Sequence, residues 1–250
     1  MRFEERLKEK FLYSKGKNFF KSIYFIIQKL KKNKHRKISY SGGAIDLIIE
    51  HYFRNKAKGI YIDVGAYHPV MGNNTFKLFN KGWSGINIDL DFHTIDIFNN
   101  FRPNDENIIA AVSDKIEKKK LYFHHNRSAI NTLEKSKGGK SKEIREVTTN
   151  TLNNIIENSK YKDSEIDFIS IDVEGHEMKV VKGFDLEKYS PKIVVIEHQD
   201  LDMKKEEFHN QNIEKIIKSN IYNHMISRNY ALVNWLHADL VFINKNLQDN

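Results

Sequence analysis

The stretch Gly59-Ile60-Tyr61-Ile62-Asp63-Val64-Gly65-Ala66-Tyr67-His68-Pro69 decides the fold of this chain. Its first half is β-branched and aromatic up to Asp63, which predicts a buried strand that ends in an acid. Gly65 and Ala66 then let the main chain turn sharply and let a ligand approach it closely. Pro69 lacks an N–H group and ends the strand pairing. Because open α/β sheets bind ligands outside the carboxyl ends of their strands, this acid and turn predict one edge of a binding site.

A second stretch, Gly85-Ile86-Asn87-Ile88-Asp89, is another short apolar strand that ends in an acid, 26 residues after Asp63. The spacing fits a strand, a turn, a helix and the next strand, and it places Asp89 where it could accept hydrogen bonds from two ribose hydroxyls. The G-x-G-x-x-G fingerprint of dinucleotide sites is absent, which argues against a nicotinamide oxidoreductase. An ordinary βαβ unit with two acids at its strand ends remains the alternative interpretation.

Further apolar segments complete the predicted sheet. Three of them end in polar residues and alternate with helical patterns, namely 107–112 before Ser113 and Asp114, 166–172 ending in Asp172, and 193–197 ending in Glu197 before His198. Such alternation predicts a doubly wound α/β sheet whose polar strand ends share one edge, and that edge is the default site. Residues 230–235 and 240–243, with four residues between them, predict an antiparallel hairpin that closes the sheet.

Composition places the charge of the protein in one part of the chain. Residues 1–40 hold 13 basic and 3 acidic residues, a net charge of +10, and the remaining 210 residues hold 28 basic and 30 acidic ones. A near-neutral body argues against a basic groove for nucleic acid across the fold. We therefore predict a basic N-terminal helical arm over residues 1–40 and a single domain over residues 41–250. The chain has no cysteine, which excludes disulfides and cysteine-ligated metals and fits a reducing compartment.

The arm contains an apolar helical segment followed by a basic run at residues 31–37. The apolar part is about 12 residues long, whereas a membrane span needs roughly 20. No small-residue cleavage site follows it, so we do not expect a secretory signal. Two interpretations stay open. Residues 18–37 lie on an anionic membrane surface, with about 1 kcal/mol from each basic residue near the lipid, or the helix packs as a lid or as a contact between two copies of the chain. We expect a cytoplasmic protein, with the inner face of the membrane as the candidate location for the arm.

Several motifs of this chain resemble the FkbM-type S-adenosylmethionine-dependent methyltransferases. They are residues 61–69, Asn74-Thr75, residues 82–89, Asn131-Thr132 and residues 166–177. The resemblance covers about residues 40–200 and resumes at the closing hairpin, and the combination of the Asp-Val-Gly-Ala-Tyr-His-Pro and Ile-Asp-Val-Glu-Gly blocks is specific. The chain departs from the family at residues 41–46, where related sequences tend to carry a Gln and a Gly-Glu-Asp.

The resemblance implies a class I methyltransferase fold of seven strands with S-adenosylmethionine as the cofactor. By position, it assigns Asp63, Gly65 and Ala66 to the methionine end of the cofactor, Asp89 to the ribose, Ser113 and Asp114 to the adenine, and Asn74 and Thr75 to the helix that covers the cofactor. Asp172, at the end of the fourth predicted strand, is expected to lie nearest the methyl group of the cofactor. It also implies methylation of hydroxyl groups, often on sugars of surface polysaccharides, lipopolysaccharides or secondary metabolites.

Methyl transfer to a hydroxyl needs an aligned acceptor, a base and exclusion of water. We predict Asp172 as the base or as the group that positions one, with Glu174 and His176 on the first turn of the next helix and His198 as further candidates. Asp172, Glu197 and His198 could instead hold Mg²⁺ or Mn²⁺, which would lower the pKa of a sugar hydroxyl. Each of these residues also has a purely structural interpretation, such as a charge that complements a helix N-terminus.

The leading functional prediction is an O-methyltransferase that acts on a sugar or glycan. A nucleic-acid methyltransferase is the first alternative because of the basic arm, although the near-neutral body makes nucleic acid an unexpected partner. A non-catalytic module that keeps the fold and binds a membrane or a partner is the second. Self-association stays open.

Overall fold

The computed structural model describes residue 6 and residues 18–30, 37–198 and 212–247. It divides the chain into two units, Met1–Ile38 and Ser39–Asn250. In the first unit, helix α1 is Asn18–Leu30. Most of the predicted basic run, at 31–36, and residues 199–211 lie outside the described residues.

The second unit alternates strands and helices. Its strands are β1 Ile60–Val64, β2 Ser84–Asp89, β3 Glu106–Ile109, β4 Ala111–Val112, β5 Lys118–Phe123, β6 Glu143–Asn150, β7 Phe168–Ile171, β8 Ile193–Glu197, β9 Tyr230–Leu236 and β10 Asp239–Asn244. Its helices are α2 Ile45–Tyr52, α3 Phe76–Asn80, α4 Phe92–Phe101, α5 Leu152–Glu157, α6 Glu177–Lys182, α7 Leu186–Tyr189, α8 Ile213–Lys218 and α9 Asn220–Ser227.

Seven strands form one sheet in the order β3-β2-β1-β7-β8-β10-β9. Strand β10 runs antiparallel to both of its neighbours, and the other neighbouring pairs are parallel. The predicted class I methyltransferase fold, with a mostly parallel sheet and a C-terminal antiparallel hairpin, is therefore confirmed. The hairpin turn has two residues instead of the expected four, because the strands extend to Leu236 and Asp239.

The predicted strand at residues 107–112 is wrong in one respect, since it divides between two sheets. Residues up to Ile109 pair with β2, and the N–H of Ala110 donates to the carbonyl of Asp89 at 3.0 Å. Ala111 and Val112 then pair with β6 in a separate sheet of order β4-β6-β5. This division carries the chain across the end of β2, where it lines the cleft described below.

Two apolar layers cover the two faces of the large sheet. Neighbouring residues of β1 point to opposite faces, so Ile62 packs in the larger cluster with α5, α6 and α9, and Tyr61 packs in the smaller cluster with α2 and α3. Burial on both faces explains why the strands read as continuous apolar runs in the sequence. Both faces are closed by helices, which leaves the carboxyl ends of the parallel strands as the accessible edge.

Candidate active site

A cleft opens at the carboxyl ends of β1, β2 and β7, with a volume of about 810 Å³ when its open mouth is counted. Of the residues predicted from sequence, Gly65, Asp89, Asp172, Glu174 and His176 line the cleft. The parallel pairing of β1 with β2 and with β7 brings them together from three distant segments of the chain.

Gly65 joins the ends of β1 and β7. Its φ angle is +81°, and a Cβ atom built on it would lie 1.7 Å from the carbonyl oxygen of Asp172. Its N–H donates to the carbonyl of Ile88 at 2.9 Å. A side chain at this position would force the two strand ends apart, so the turn requires glycine both for its left-handed conformation and for this close approach.

Asp89 forms part of the cleft wall with both oxygens already engaged by the main chain. One oxygen accepts the N–H of Asp91 at 2.8 Å, and the other accepts the N–H of Tyr67 at 3.1 Å. Burial raises the pKa of the Asp89 carboxyl to about 6. Each carboxylate oxygen has a second lone pair, so a fixed Asp89 can still accept two hydroxyl hydrogen bonds from a ligand.

Asp63, in contrast, is buried and does not line the cleft. One of its oxygens accepts hydrogen bonds from the Thr75 hydroxyl and the Asn73 amide, both at 2.9 Å. Burial raises the pKa of Asp63 to about 6, although the nearby Arg102 guanidinium opposes the rise. In this structure Asp63 and Thr75 fix the loop between β1 and α3, and their predicted contact with the cofactor stays a prediction.

Arg102, which follows α4, is a residue that sequence reasoning missed. It is fully buried and donates to Thr75 Oγ1 at 2.8 Å and to Asn73 Oδ1 at 2.9 Å. Aromatic rings surround its guanidinium at 5.0–5.9 Å from their centroids, those of Tyr61, Phe76, Phe79 and Phe98. An arginine at the end of an apolar helix is usually a solvated charge that complements the helix dipole, so no local signal distinguishes this one.

Asp172 lies in a group of three acids with Glu177 and Glu197, whose carboxylate oxygens lie within 4.8 Å of one another. Water reaches Asp172 through the open cleft, yet protein atoms surround the carboxyl closely. This desolvation, followed by repulsion from Glu197, raises the pKa of Asp172 well above its usual value. The predicted metal ligands were Asp172, Glu197 and His198, and the structure groups the first two with Glu177 instead of His198. Carboxylate oxygens are ligands that suit Mg²⁺ or Mn²⁺.

The expectation that Glu174 and His176 lie on the first helical turn is wrong, because α6 begins at Glu177. Glu174 has φ +57° and Gly175 has φ +96°, conformations that a right-handed helix excludes. The Glu177 carboxylate stabilises this loop by accepting the N–H groups of Val173 at 3.1 Å and Gly175 at 2.8 Å. Glu174 and His176 therefore belong to the turn that lines the cleft.

His176 is 2% exposed and connects two parts of the fold. Its Nε2 lies 2.9 Å from Ser113 Oγ, and its Nδ1 lies 2.5 Å from Glu134 Oε1. Burial lowers the pKa of the imidazole, while Glu134 opposes that change. A neutral ring in this geometry donates from Nδ1 to Glu134 and accepts at Nε2 from the Ser113 hydroxyl. Its predicted role in proton transfer stays a prediction, because both ring nitrogens already have partners.

The segment 124–138, named here the cleft loop, forms the opposite wall, and the sequence did not place it. Residues Ser128, Ala129, Asn131, Thr132 and Leu133 line the cleft. Thr132 Oγ1 donates to the carbonyl of Glu174 at 2.8 Å, which joins the cleft loop to the turn before α6. The one sequence signal for this wall is the pair Asn131-Thr132.

The other predicted site residues lie outside the cleft lining. Asn74, which lies just before α3, donates to Ser170 Oγ at 3.1 Å. Asp114 forms an ion pair with Lys179 at 3.2 Å. The main chain of Ala66 donates to the carbonyl of Ile88 at 3.1 Å, and that of His198 donates to the carbonyl of Ala238 at 2.7 Å. Their assignments to cofactor and catalysis stay predictions.

Comparison with known proteins identifies the family. The family model described as the methyltransferase FkbM domain matches residues 63–223, which include the ends of β1, β2 and β7 and the whole cleft loop. The chain belongs to the FkbM methyltransferase family. This result confirms the resemblance that the sequence motifs indicated, and methyltransferase activity follows as the activity of the family.

The other comparisons add little. The comparison with curated proteins found no match. Among solved structures, the chain is similar to a proposed RNA methyltransferase from Pyrococcus horikoshii, at 12% identity and a TM-score of 0.40, over 90% of this chain and 97% of that one. So distant a similarity carries no argument about substrate. Within residues 18–30, 37–198 and 212–247, no helix is long and apolar enough to cross a membrane.

Proposed function

We propose that this FkbM-family protein uses S-adenosylmethionine to methylate a hydroxyl group of a sugar or glycan. The observation that carries the proposal is that one cleft contains the Gly65 turn, the Asp89 carboxylate and Asp172 with its acidic neighbours. The family resemblance assigns Gly65 and Asp89 to the cofactor, and we predict Asp172 as the base or the group that positions it. These residues come from strand ends that only the fold brings together.

The residues present fit the cofactor. S-adenosylmethionine supplies an electrophilic methyl group when it is bound. Asp89, held by two main-chain N–H groups, keeps a lone pair on each oxygen for the ribose hydroxyls. The apolar residues Ile88, Leu90, Ala110 and Val112 line the neighbouring wall, which suits the face of a purine ring.

Asp172 is suited to accept the proton of the acceptor hydroxyl. A base is most effective when its pKa lies near the working pH, and desolvation together with Glu197 raises the pKa of Asp172 toward that range. The cleft loop covers one side of the cleft through Thr132 and Glu134 and so helps to exclude water.

The charge around Asp172 supports a sugar acceptor over a nucleic acid. Asp172 and Glu174 line the cleft, and Glu177 and Glu197 lie close behind them. Carboxylates accept hydrogen bonds from sugar hydroxyls but repel phosphates, which dominate the affinity of proteins for nucleic acids. A neutral acceptor with several hydroxyl groups is therefore the substrate class that this end of the cleft favours.

Calorimetric titration of S-adenosylmethionine into the wild type, Asp89→Asn and Asp96→Asn tests the cofactor. Asp96 is an exposed acid on α4 and serves as the matched control. We expect micromolar binding by the wild type and the control, and at least about tenfold weaker binding by Asp89→Asn, because charged acceptors contribute about 1.5–3 kcal/mol. Equal binding by all three proteins would contradict the assignment of Asp89.

Formation of S-adenosylhomocysteine with a panel of glycans, with and without EDTA, tests the reaction. We expect turnover with at least one glycan, and a loss of about a hundredfold or more in kcat for Asp172→Asn, as is usual for a catalytic base. Loss of turnover in EDTA would indicate a divalent ion at the acidic group. Turnover with RNA alone would support the nucleic-acid alternative, and absence of cofactor binding would support the non-catalytic one.

A further inference from the structure

Helix α1 has an apolar face that is exposed in the structure. At 3.6 residues per turn, Phe19, Ile23, Ile26 and Ile27 fall within an arc of about 100°. Their exposed fractions are 72%, 36%, 56% and 41%, respectively. These four residues are named here the apolar face. A helix that exposes such a continuous face has a surface suited to an apolar environment.

The opposite side of α1 and the chain that follows it are basic. Lys21 lies opposite the apolar face and Lys29 lies at its flank, while Phe25, at 61% exposed, is the apolar exception on the opposite side. Five lysine and arginine residues follow within residues 31–37. An amphipathic helix with aromatic and aliphatic residues on one side and cations on and beside the other has the pattern of helices that lie in a membrane interface.

We propose that α1 lies on an anionic membrane surface, with the apolar face inserted among the lipids and the cations at the headgroups. The net charge of +10 in residues 1–40 complements the negative surface of such a membrane. With 13 residues, α1 is too short to cross the bilayer. It therefore lies on the surface and keeps the methyltransferase unit beside the membrane.

Other occupants of the apolar face fit less well. A nucleic acid would use the cations but would leave the isoleucine side chains without an apolar partner. A second copy of the arm would bring two segments of charge +10 together, which repel each other. The remaining 210 residues, with 28 basic and 30 acidic residues, carry a net charge of only −2, so they offer the cations of the arm much less negative charge than an anionic lipid surface does. An anionic lipid surface satisfies both sides of the helix.

Cosedimentation of the full chain with lipid vesicles tests the proposal. The vesicles contain phosphatidylcholine alone or phosphatidylcholine with about one third phosphatidylglycerol. We expect binding to the anionic vesicles that is at least about tenfold stronger than binding to the neutral ones and that weakens as salt is added. The variant Ile23→Ser/Ile26→Ser/Ile27→Ser should lose about tenfold in binding, because it removes most of the apolar face.

Phe25→Ser is the matched control, since Phe25 is exposed but lies away from the apolar face. We expect its vesicle binding to stay within about twofold of the wild type, and the thermal unfolding of every variant to match the wild type. An equal loss of vesicle binding in the triple variant and in the control would overturn the proposal that the apolar face is the side inserted among the lipids. Unchanged vesicle binding in the triple variant would overturn the proposal as a whole. Tighter binding to an RNA oligonucleotide than to the anionic vesicles, or a dimer that the triple variant abolishes, would assign the helix to another partner. None of these measurements depends on methyl transfer.

Discussion

At the scale of single residues, the cleft depends on a few positions where the main chain leaves no choice of side chain. Gly65 is the clearest case, because the main chain of Asp172 occupies the place of its missing Cβ. Gly82 also has a positive φ angle, +90°, but open space around it. Gly139 has open space and no positive φ angle. Substitution by alanine would therefore add both collision and backbone strain at Gly65, strain alone at Gly82, and neither effect at Gly139.

We predict that Gly65→Ala destabilises the protein by more than about 3 kcal/mol or prevents folding, because strain and collision act together. Gly82→Ala should cost about 1–2 kcal/mol from strain alone, and Gly139→Ala should change stability by less than about 0.5 kcal/mol. Urea unfolding of the three variants measures these differences. An equal loss at Gly65 and Gly82 would show that contact between the ends of β1 and β7 is not what Gly65 provides.

The acids around Asp172 lead to a prediction about pH. The carboxyl must lose its proton to act as a base, so methyl transfer should fall as the pH drops through its raised pKa. Glu197→Gln removes a charge that raises this pKa, and the acid side of the pH–rate profile should therefore move to lower pH. Glu157→Gln, which changes an exposed acid paired with Lys188, is the control. A profile that does not move in Glu197→Gln would exclude Asp172 as the titrating base.

At the scale of elements, the site is built where strands and helices end irregularly. The turn before α6 keeps Glu174 and His176 off the helix, and the cleft loop is joined to that turn through Thr132 and Glu134. Because His176 also contacts Ser113, the cleft loop, the turn before α6 and the end of β4 are linked by hydrogen bonds. Loosening this connection should weaken the binding of whatever the cleft encloses.

We predict that Thr132→Val weakens the binding of S-adenosylmethionine about fivefold. The substitution keeps the shape of the side chain but removes the hydrogen bond to the Glu174 carbonyl, and a bond of this kind is worth about 1 kcal/mol. Thr132→Ser keeps the hydroxyl and should bind as the wild type does. Calorimetry on both variants measures the difference, and equal affinities would mean that the cleft loop does not contribute to the cofactor site.

At the scale of the whole molecule, the chain consists of a small basic unit and a large unit that contains the complete sheet and cleft. The predicted boundary at residue 40 and the division after Ile38 lie two residues apart. At the start of the large unit, the carboxylate of Asp46 accepts hydrogen bonds from the N–H of Tyr40 at 2.7 Å and from the hydroxyl of Ser39 at 2.6 Å. Asp46 belongs to residues 41–46, the segment where the sequence departs from the family, and its two partners lie just before that segment.

We predict that removal of residues 1–38 leaves the unfolding temperature of the remaining chain unchanged and its affinity for S-adenosylmethionine within about twofold of the full chain. The reason is that the sheet and cleft lie in the second unit. The same removal should abolish binding to anionic vesicles. Thermal unfolding and calorimetry measure the first result, and cosedimentation measures the second. A truncated chain that no longer binds the cofactor would show that the arm forms part of the site.

The sequence predicts some of these features better than others. The strand ends at Asp89 and Asp172 and the small turn at Gly65 were predicted correctly as neighbours at one edge, because strand patterns and turn residues act over a few positions. The sequence did not predict that the cleft loop forms one wall of the site, because the position of the loop depends on the contact between Thr132 and Glu174, 42 residues apart. The division at Ala110 was missed because residues 108–112 form one continuous apolar run in the sequence, and the two parts of that run differ only in their pairing partners.

The sequence by itself therefore determined the alternation of buried strands and helices, the acids at the strand ends, the glycine turn and the concentration of positive charge in the arm. Each of these follows from local periodicity, local backbone preference or residue counts. Only the tertiary structure decided that Asp63 is buried against Thr75 and Asn73 while Asp89 lines the cleft. Both acids follow apolar strand patterns in the sequence. Asp63 contacts Thr75 and Asn73, which the buried Arg102 also binds, and the position of Arg102 depends on packing between distant segments.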